Sequence, residues 1–369
     1  MSGENPRAWR LSPEGRTKGL FLDFLGIIAR RNQHSQEVVL TKPAAYLQHY
    51  PDNDDITCLL QEKLEGHLKD AGPLSPLMDY VAKTPGKRLR PTLTVLSAAL
   101  SGEAFGTTVD KHALADIAAA VELIHMASLV HDDIIDDAKE RRGMPTAHLL
   151  FGLHSAVLAG DYLFTRANKV ALRYPKLGIA SLFNQAVELT CEGEVMQDET
   201  LFDPRVTEKE YLSHICRKTA ALIGTACQVG AIMADAPLEA EETLLRFGLE
   251  LGCAFQIADD VLDFTSDAAI SGKEPCNDLR RGLLTLPTIL AMKSPLGDII
   301  RKAFRSRSVD DETLSLVKSG LATGGHIQKA KDNAKSLAHS AASRLFLFPS
   351  NDAKERLSSI AYSVADRMS

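Results

Sequence analysis

The 369-residue chain predicts an all-α protein, a large helical bundle, and three observations carry that reading. From Ile56 onward apolar residues recur at helical spacing, as in Leu59, Leu60, Leu64 and Leu68. Short alternating β-branched runs bounded by turns, the signature of strands, are nearly absent. Two strongly apolar helical segments also carry the same cluster of aspartates.

Residues 1 to about 50 are mixed, charged and weakly periodic, and read as an N-terminal extension, linker or loosely docked helix. Residues 51–369 read as one large domain, since no composition shift divides them. Pro91, a favoured first-turn residue, precedes a helix over Thr92 to Leu100. Further helices are expected over Lys111 to Asp137, Ser155 to Val170, Ile179 to Asp198, Glu208 to Met233, Glu239 to Thr265 and Thr285 to Met292. The tail from Val309 to Arg367 reads as three more, broken at Gly324-Gly325 and Pro349-Ser350.

Apolar residues make up 45% and charged residues 24%, enough for a sizeable core. The apolar stretch Ala113 to Val130 is interrupted by Asp116, Glu122 and His125, so it reads as a buried core helix and not a transmembrane segment. A net charge of −6 argues against a nucleic-acid partner, while a few local cations suffice for a small anion. The six cysteines are scattered without a CxxC pair, which fits reduced thiols. Near the N-terminus Arg7 and Arg10 lead into Glu14 and not into an apolar core, unlike a secretory signal. The expected location is cytoplasmic; Glu4, Glu14 and Asp23 weigh against a mitochondrial transit peptide without excluding it.

Asp132-Asp133-Ile134-Ile135-Asp136 and Asp259-Asp260-Val261-Leu262-Asp263 are both DDxxD. Residues four apart share a helix face, so Asp132 pairs with Asp136 and Asp259 with Asp263. Like charges so placed destabilise a helix unless a cation neutralises them. Carboxylate oxygens suit Mg²⁺, which takes one or two carboxylates plus substrate phosphates and water. One such cluster could be a solvated acidic helix end. Two, each emerging from an apolar run, point to metal ions bridging to a diphosphate.

Cations complete the pattern. Lys87, Arg88 and Arg90 lie just before a helix, where anions are favoured. Arg141 and Arg142 follow the first cluster, and adjacent arginines can serve two phosphate groups with bidentate geometry. His125 lies two helical turns before Asp132 on the same face; a lone helix histidine is more often a satisfied core residue than a ligand. Lys218-Thr219, Gln256 and Lys273 are individually weak signals.

In order, GKRLRP, HMASLVHDDIIDDAKERRG, AVLAGDYLF, EGEVMQ, RKTAALIG, FQIADDVLDF and DLRRGLLTLP resemble the trans-polyprenyl diphosphate synthases, from about residue 55 to the C-terminus. The resemblance implies an isoprenoid synthase bundle, usually a homodimer, with both aspartate motifs facing a deep central cavity. It implies that Asp132 and Asp136 hold the Mg²⁺ ions of the allylic diphosphate, and that Asp259, with Asp263 through water, holds the remaining metal. Lys87, Arg90, His125 and Arg142 match the isopentenyl diphosphate site. Arg141, Lys218, Thr219, Gln256 and Lys273 match the groups around the allylic substrate, the last four carrying catalysis. One departure stands out: the family commonly has a lysine where this chain has Leu283, and Arg280 or Arg281 could partly replace it.

Similar enzymes ionise the allylic diphosphate, add the double bond of isopentenyl diphosphate to the cation, and lose a proton to the released diphosphate. No protein nucleophile is needed, and no Ser/His/Asp or Cys/His arrangement appears. Small side chains before the first motif, Ala127, Ser128 and Ala120 with intermediate Ile124, are expected to leave a tunnel open for an all-trans product of C30 to C50. Phe at position 127 should shorten it. The alternatives are a geranylgeranyl diphosphate synthase or a weakly catalytic subunit of a heteromeric synthase, although such subunits typically lose aspartates that are complete here. A class I terpene cyclase would lack the second DDxxD and the basic isopentenyl site.

Overall fold

The computed structural model describes residues 54–83, 87–265 and 276–366. In chain order the helices are α1 (Asp54–Leu68), α2 (Ser75–Lys83), α3 (Leu89–Phe105), α4 (Lys111–Ile135), α5 (Ala147–Phe151), α6 (Leu153–Ala171), α7 (Ile179–Glu199) and α8 (Glu208–Ile215). A π-helical turn, Cys216–Ala220, joins α8 to α9 (Ala221–Met233), and α10 (Leu238–Thr265) follows. The remainder is α11 (Asn277–Arg280), α12 (Leu286–Ala291), α13 (Leu296–Arg305), α14 (Asp311–Thr323), α15 (His326–Arg344) and α16 (Asp352–Asp366). Among the described residues the only strands are β1 (Glu140–Arg141) and β2 (Met144–Pro145), a two-residue antiparallel ribbon. Positive φ at both loop residues, Arg142 (+55°) and Gly143 (+76°), gives the turn that matches strand twist.

The expected all-α bundle is therefore present, with local differences. Helix α3 begins at Leu89, so Pro91 lies inside its first turn, where its missing N–H has no intrahelical partner to lose. Helices α2 and α13 escape the periodicity reading because proline and glycine punctuate their short sequences. The N-terminal extension, residues 1–50, lies outside the described residues.

Two apolar clusters build the bundle. One joins α1, α2, α4, α6, α7 and one face of α9. The other joins α3, α8, α10 and α12 through α16 with the opposite face of α9. Helix α4 starts on an Asp110 cap, whose carboxylate accepts the His112 and Ala113 N–H groups. By length and composition α4 could cross a membrane, but 78% of its most apolar window is buried inside the bundle, as in a core helix.

Small residues set how closely the central helices pack. A Cβ on Gly248 of α10 would stand 2.6 Å from the Gly224 Cα and 2.7 Å from the Ile223 carbonyl oxygen of α9. This contact fixes the crossing that carries the π-turn beside α10. Gly248→Ala should therefore destabilise the protein by about 1–3 kcal/mol through overpacking. Urea unfolding checks this; a midpoint equal to that of the wild type would contradict it.

Candidate active site

Between the two clusters opens a cavity of about 850 Å³. Its wall takes Lys87, Arg88 and Arg90 from the start of α3, and Glu122, His125, Ser128, Asp132 and Asp133 from one face of α4. Arg141 and Arg142 come from the ribbon, Lys218 and Thr219 from the π-turn, and Gln256 and Asp259 from α10. Helix α16 closes one side with Ile360, Ser363 and Val364. The aspartate clusters occupy the last turns of α4 and α10, where the helix dipole is negative and neither helix has a basic residue. Asp136 is the C-cap of α4.

The acids do not share one environment. Burial pushes the Asp132 carboxyl up to about 6; Lys218 draws it back, while Glu194 and Asp136 add to the rise. Asp133 accepts from Arg141 Nε at 2.7 Å, and Arg281 Nη2 stands 2.6 Å from Asp136 Oδ1. On α10, Asp260 turns inward, accepting from Tyr211 Oη at 2.6 Å and Gln256 Nε2 at 2.8 Å. Asp263 accepts the backbone N–H groups of Asn277 and Asp278 at 3.2 and 3.3 Å.

The cations are organised by buried acids. Arg88, at φ +49°, donates to Glu122 Oε1 at 2.7 Å. Burial pulls the Arg90 guanidinium down to about 10, still charged at neutral pH, and its buried Nε has no hydrogen-bond partner among the described residues. Burial, with Arg90, Arg142, Arg141 and Arg88 nearby, holds His125 well below its usual range and therefore neutral. Lys218 Nζ lies 2.6 Å from Glu194 Oε2 on α7. Burial lowers the Lys218 pKa, but Glu194 and Asp132 outweigh it and the ammonium is held above its usual range.

The π-turn explains how Lys218 gets there. A Cβ on Gly193 would stand 2.5 Å from the Lys218 backbone nitrogen, so only glycine lets α7 approach this closely. Such π segments recur at functional sites. Thr219 donates to Gln256 Oε1 at 2.7 Å, so Thr219, Gln256, Asp260 and Tyr211 form one hydrogen-bonded chain from cavity to core.

Of the residues singled out from sequence, Lys87, Arg90, His125, Asp132, Arg141, Arg142, Lys218, Thr219, Gln256 and Asp259 share the cavity wall. Asp136 and Asp263 lie at the ends of the same two helices. Lys273 lies outside the described residues. The chain-length set divides: Ser128 is on the wall, whereas Ala120, Ile124 and Ala127 are buried in the cluster that holds Ala156, Ala159 and Leu163 of α6. Position 127 is one residue, about 100° of helix, away from the wall position. The sequence did not point to Glu122, Glu194, Tyr211 or the α16 wall; Glu194 sits within the EGEVMQ motif and Glu122 interrupts the apolar stretch of α4, but only tertiary packing shows their partners.

A sequence model of polyprenyl synthetase matches residues 72–318. The chain belongs to the polyprenyl synthetase family. It is 33% identical over 307 residues to octaprenyl diphosphate synthase of Escherichia coli (strain K12), covering 82% of this chain and 93% of that protein. It is 33% identical over 299 residues to chloroplastic solanesyl diphosphate synthase 2 of Arabidopsis thaliana, covering 79% and 70%. A polyprenyl synthase from Caulobacter crescentus CB15, complexed with calcium and isoprenyl diphosphate, superposes with a TM-score of 0.80 at 31% identity, covering 86% and 96%. A decaprenyl diphosphate synthase from Rhodobacter capsulatus gives 0.79 at 30% identity, covering 86% and 97%. The protein is thus a prenyltransferase of the isoprenoid synthase fold, and membership brings isoprenyl diphosphate substrates and a divalent cation with it.

The residues fit such a cation. Among the described residues no three acid, histidine or cysteine side chains converge into a closed metal site. Carboxylates instead reach one cavity from two walls, a donor set that leaves coordination positions for phosphate oxygens and water.

Behind the π-turn, burial holds the His214 imidazole down to about 4, with Lys218 adding to the shift. A depressed histidine pKa gives stability that is full above the unfolded value near 6.5 and lost as pH falls towards about 4. His214→Gln should flatten the acid limb of the stability profile in that window by up to about 1.4 kcal/mol per pH unit. Urea titrations at several pH values test this; parallel profiles for variant and wild type would contradict it.

Proposed function

We propose that the protein is a Mg²⁺-dependent synthase that condenses isopentenyl diphosphate head-to-tail onto an allylic diphosphate, giving an all-trans polyprenyl diphosphate of C30 to C50. The observation that carries this is one cavity with two aspartate-bearing helix ends and two separate cation groups. Asp132 and Asp136 on one wall and Asp259, supported by Asp263, on the other would hold Mg²⁺, which supplies Lewis-acid stabilisation of the departing diphosphate.

The remaining work falls to the chain. Lys218 and Arg141 place positive charge beside Asp132 and Asp133, where the allylic diphosphate leaves with the electron pair of its C–O bond. Lys87, Arg90 and Arg142 hold the second diphosphate, and neutral His125 contributes a hydrogen bond without further charge. The double bond of isopentenyl diphosphate attacks the allylic carbon, and the proton then lost goes to the released diphosphate. The Thr219–Gln256–Asp260–Tyr211 chain fixes the wall against which the allylic carbon ionises.

The chain length rests on Ser128, whose small side chain leaves the wall open four residues before Asp132, and on the octaprenyl and solanesyl diphosphate synthases among the relatives. A C20 product is the second reading, favoured by the packing of Ala120, Ile124 and Ala127 against α6. The exposed apolar face of Leu149, Leu150, Leu153, Val157 and Leu158 on α5 and α6 fits a second copy, so we place the dimer contact there.

Incubation with Mg²⁺, labelled isopentenyl diphosphate and C5 to C20 allylic starters, then chromatography of dephosphorylated products, tests the reading. Products of C30 to C50 are expected, and Ser128→Phe should shorten them. No elongation from any starter would refute the proposal; a wild-type product stopping at C20 would support the second reading. Ala127→Phe is a poorer test than the sequence suggests, since overpacking a fully buried site costs about 1–3 kcal/mol.

A further inference from the structure

Leu283 removes one cation from the expected pattern, and its side chain is buried. The two arginines before it take opposite courses. Arg280 Nη2 pairs with Asp311 Oδ1 at 2.6 Å, on a carboxylate 88% exposed at the outer surface. Arg281 turns inward, and its Nη2 lies 2.6 Å from Asp136 Oδ1 at the end of α4.

The backbone that carries Arg281 is held firmly. Arg281 N–H donates to the Asn277 carbonyl at 3.0 Å, Leu283 N–H to the Asp278 carbonyl at 2.9 Å, and Phe202 N–H to the Gly282 carbonyl at 2.8 Å. The same turn is tied to the second aspartate motif, because Asp263 accepts the Asn277 and Asp278 N–H groups. Anchored beside one motif, Arg281 reaches the other. Both members of the pair are partly exposed, 29% and 31% of their side chains, so the guanidinium can change partners without moving the backbone.

We propose that Arg281 replaces the missing cation of the allylic diphosphate site, holding Asp136 in the metal-free enzyme and passing to the diphosphate when a divalent cation takes that carboxylate. The inference rests on the reading of the cavity as a metal–diphosphate site. Its physical basis is competition for one oxygen. Mg²⁺ binds carboxylate oxygen at about 2.0–2.1 Å, and its charge repels a guanidinium on the same oxygen, so each cation weakens the other's hold on Asp136 Oδ1. The displaced guanidinium then finds the anion held by that metal, to which arginine offers bidentate geometry.

Calorimetry on the full chain tests this with two titrations: Mg²⁺ alone, and inorganic diphosphate at saturating Mg²⁺. Arg281→Gln should bind Mg²⁺ alone several-fold more tightly, because its competitor is gone. The same variant should bind diphosphate about 10- to 100-fold more weakly, as expected for loss of a charged hydrogen bond. Arg281→Lys should fall between variant and wild type in both. A purely structural role would weaken both titrations together, and that result, or two unchanged affinities, would overturn the inference. Wild-type enzyme that binds no diphosphate with Mg²⁺ would instead overturn the reading of the site itself, and the inference with it.

Discussion

Carboxylates gathered at the C-terminal ends of two buried helices are electrostatically unfavourable three times over. They repel one another, they face the negative end of the helix dipole, and burial penalises their charge. Burial, with Glu194 and Asp136 adding to it against the pull of Lys218, pushes the Asp132 carboxyl up to about 6. The rest of the site is arranged around it. Arg141 sits on Asp133, Arg281 on Asp136, and Lys218 between Glu194 and Asp132. These pairs hold the acids in place while leaving Asp132 and Asp259 on the cavity wall for a divalent cation.

The same logic runs in reverse among the cations. Arg88, Arg90 and Arg142 would repel one another around an empty cavity, and Glu122 tempers them from within α4. His125, in their midst, cannot afford a charge of its own. The cations thus fall into two sets, one leaning on Glu122 and the other on the aspartates.

Much of this was legible in the sequence. Strong apolar periodicity located α4, α6, α7 and α10 to within a few residues, because long helices carry many repeats of the pattern. The aspartate pairs and the basic segments are local in sequence, so motif spacing found them. What was not legible depends on contacts between distant segments. The π-turn arises where α7 presses Gly193 against Lys218, which a continuous helical pattern from Glu208 to Met233 conceals. Glu194 and Tyr211 acquire meaning only through Lys218 and Asp260. Ala127 and Ser128 are a single step of about 100° apart around α4. Ser128, four residues from Asp132, lines the cavity while Ala127 packs into the core, a distinction the shared small size of the two residues conceals. Likewise the sequence could not say which of Arg280 and Arg281 faces the site; the direction of a four-residue helix decides it.

The central claim is that the two aspartate motifs share divalent metal with a diphosphate inside one cavity. Crystals grown with Mn²⁺ and inorganic diphosphate, measured for anomalous scattering, examine this directly. The account predicts peaks between the Asp132–Asp136 pair and Asp259, with the diphosphate between them. Diphosphate bound in the cavity without a peak at either aspartate motif would contradict it.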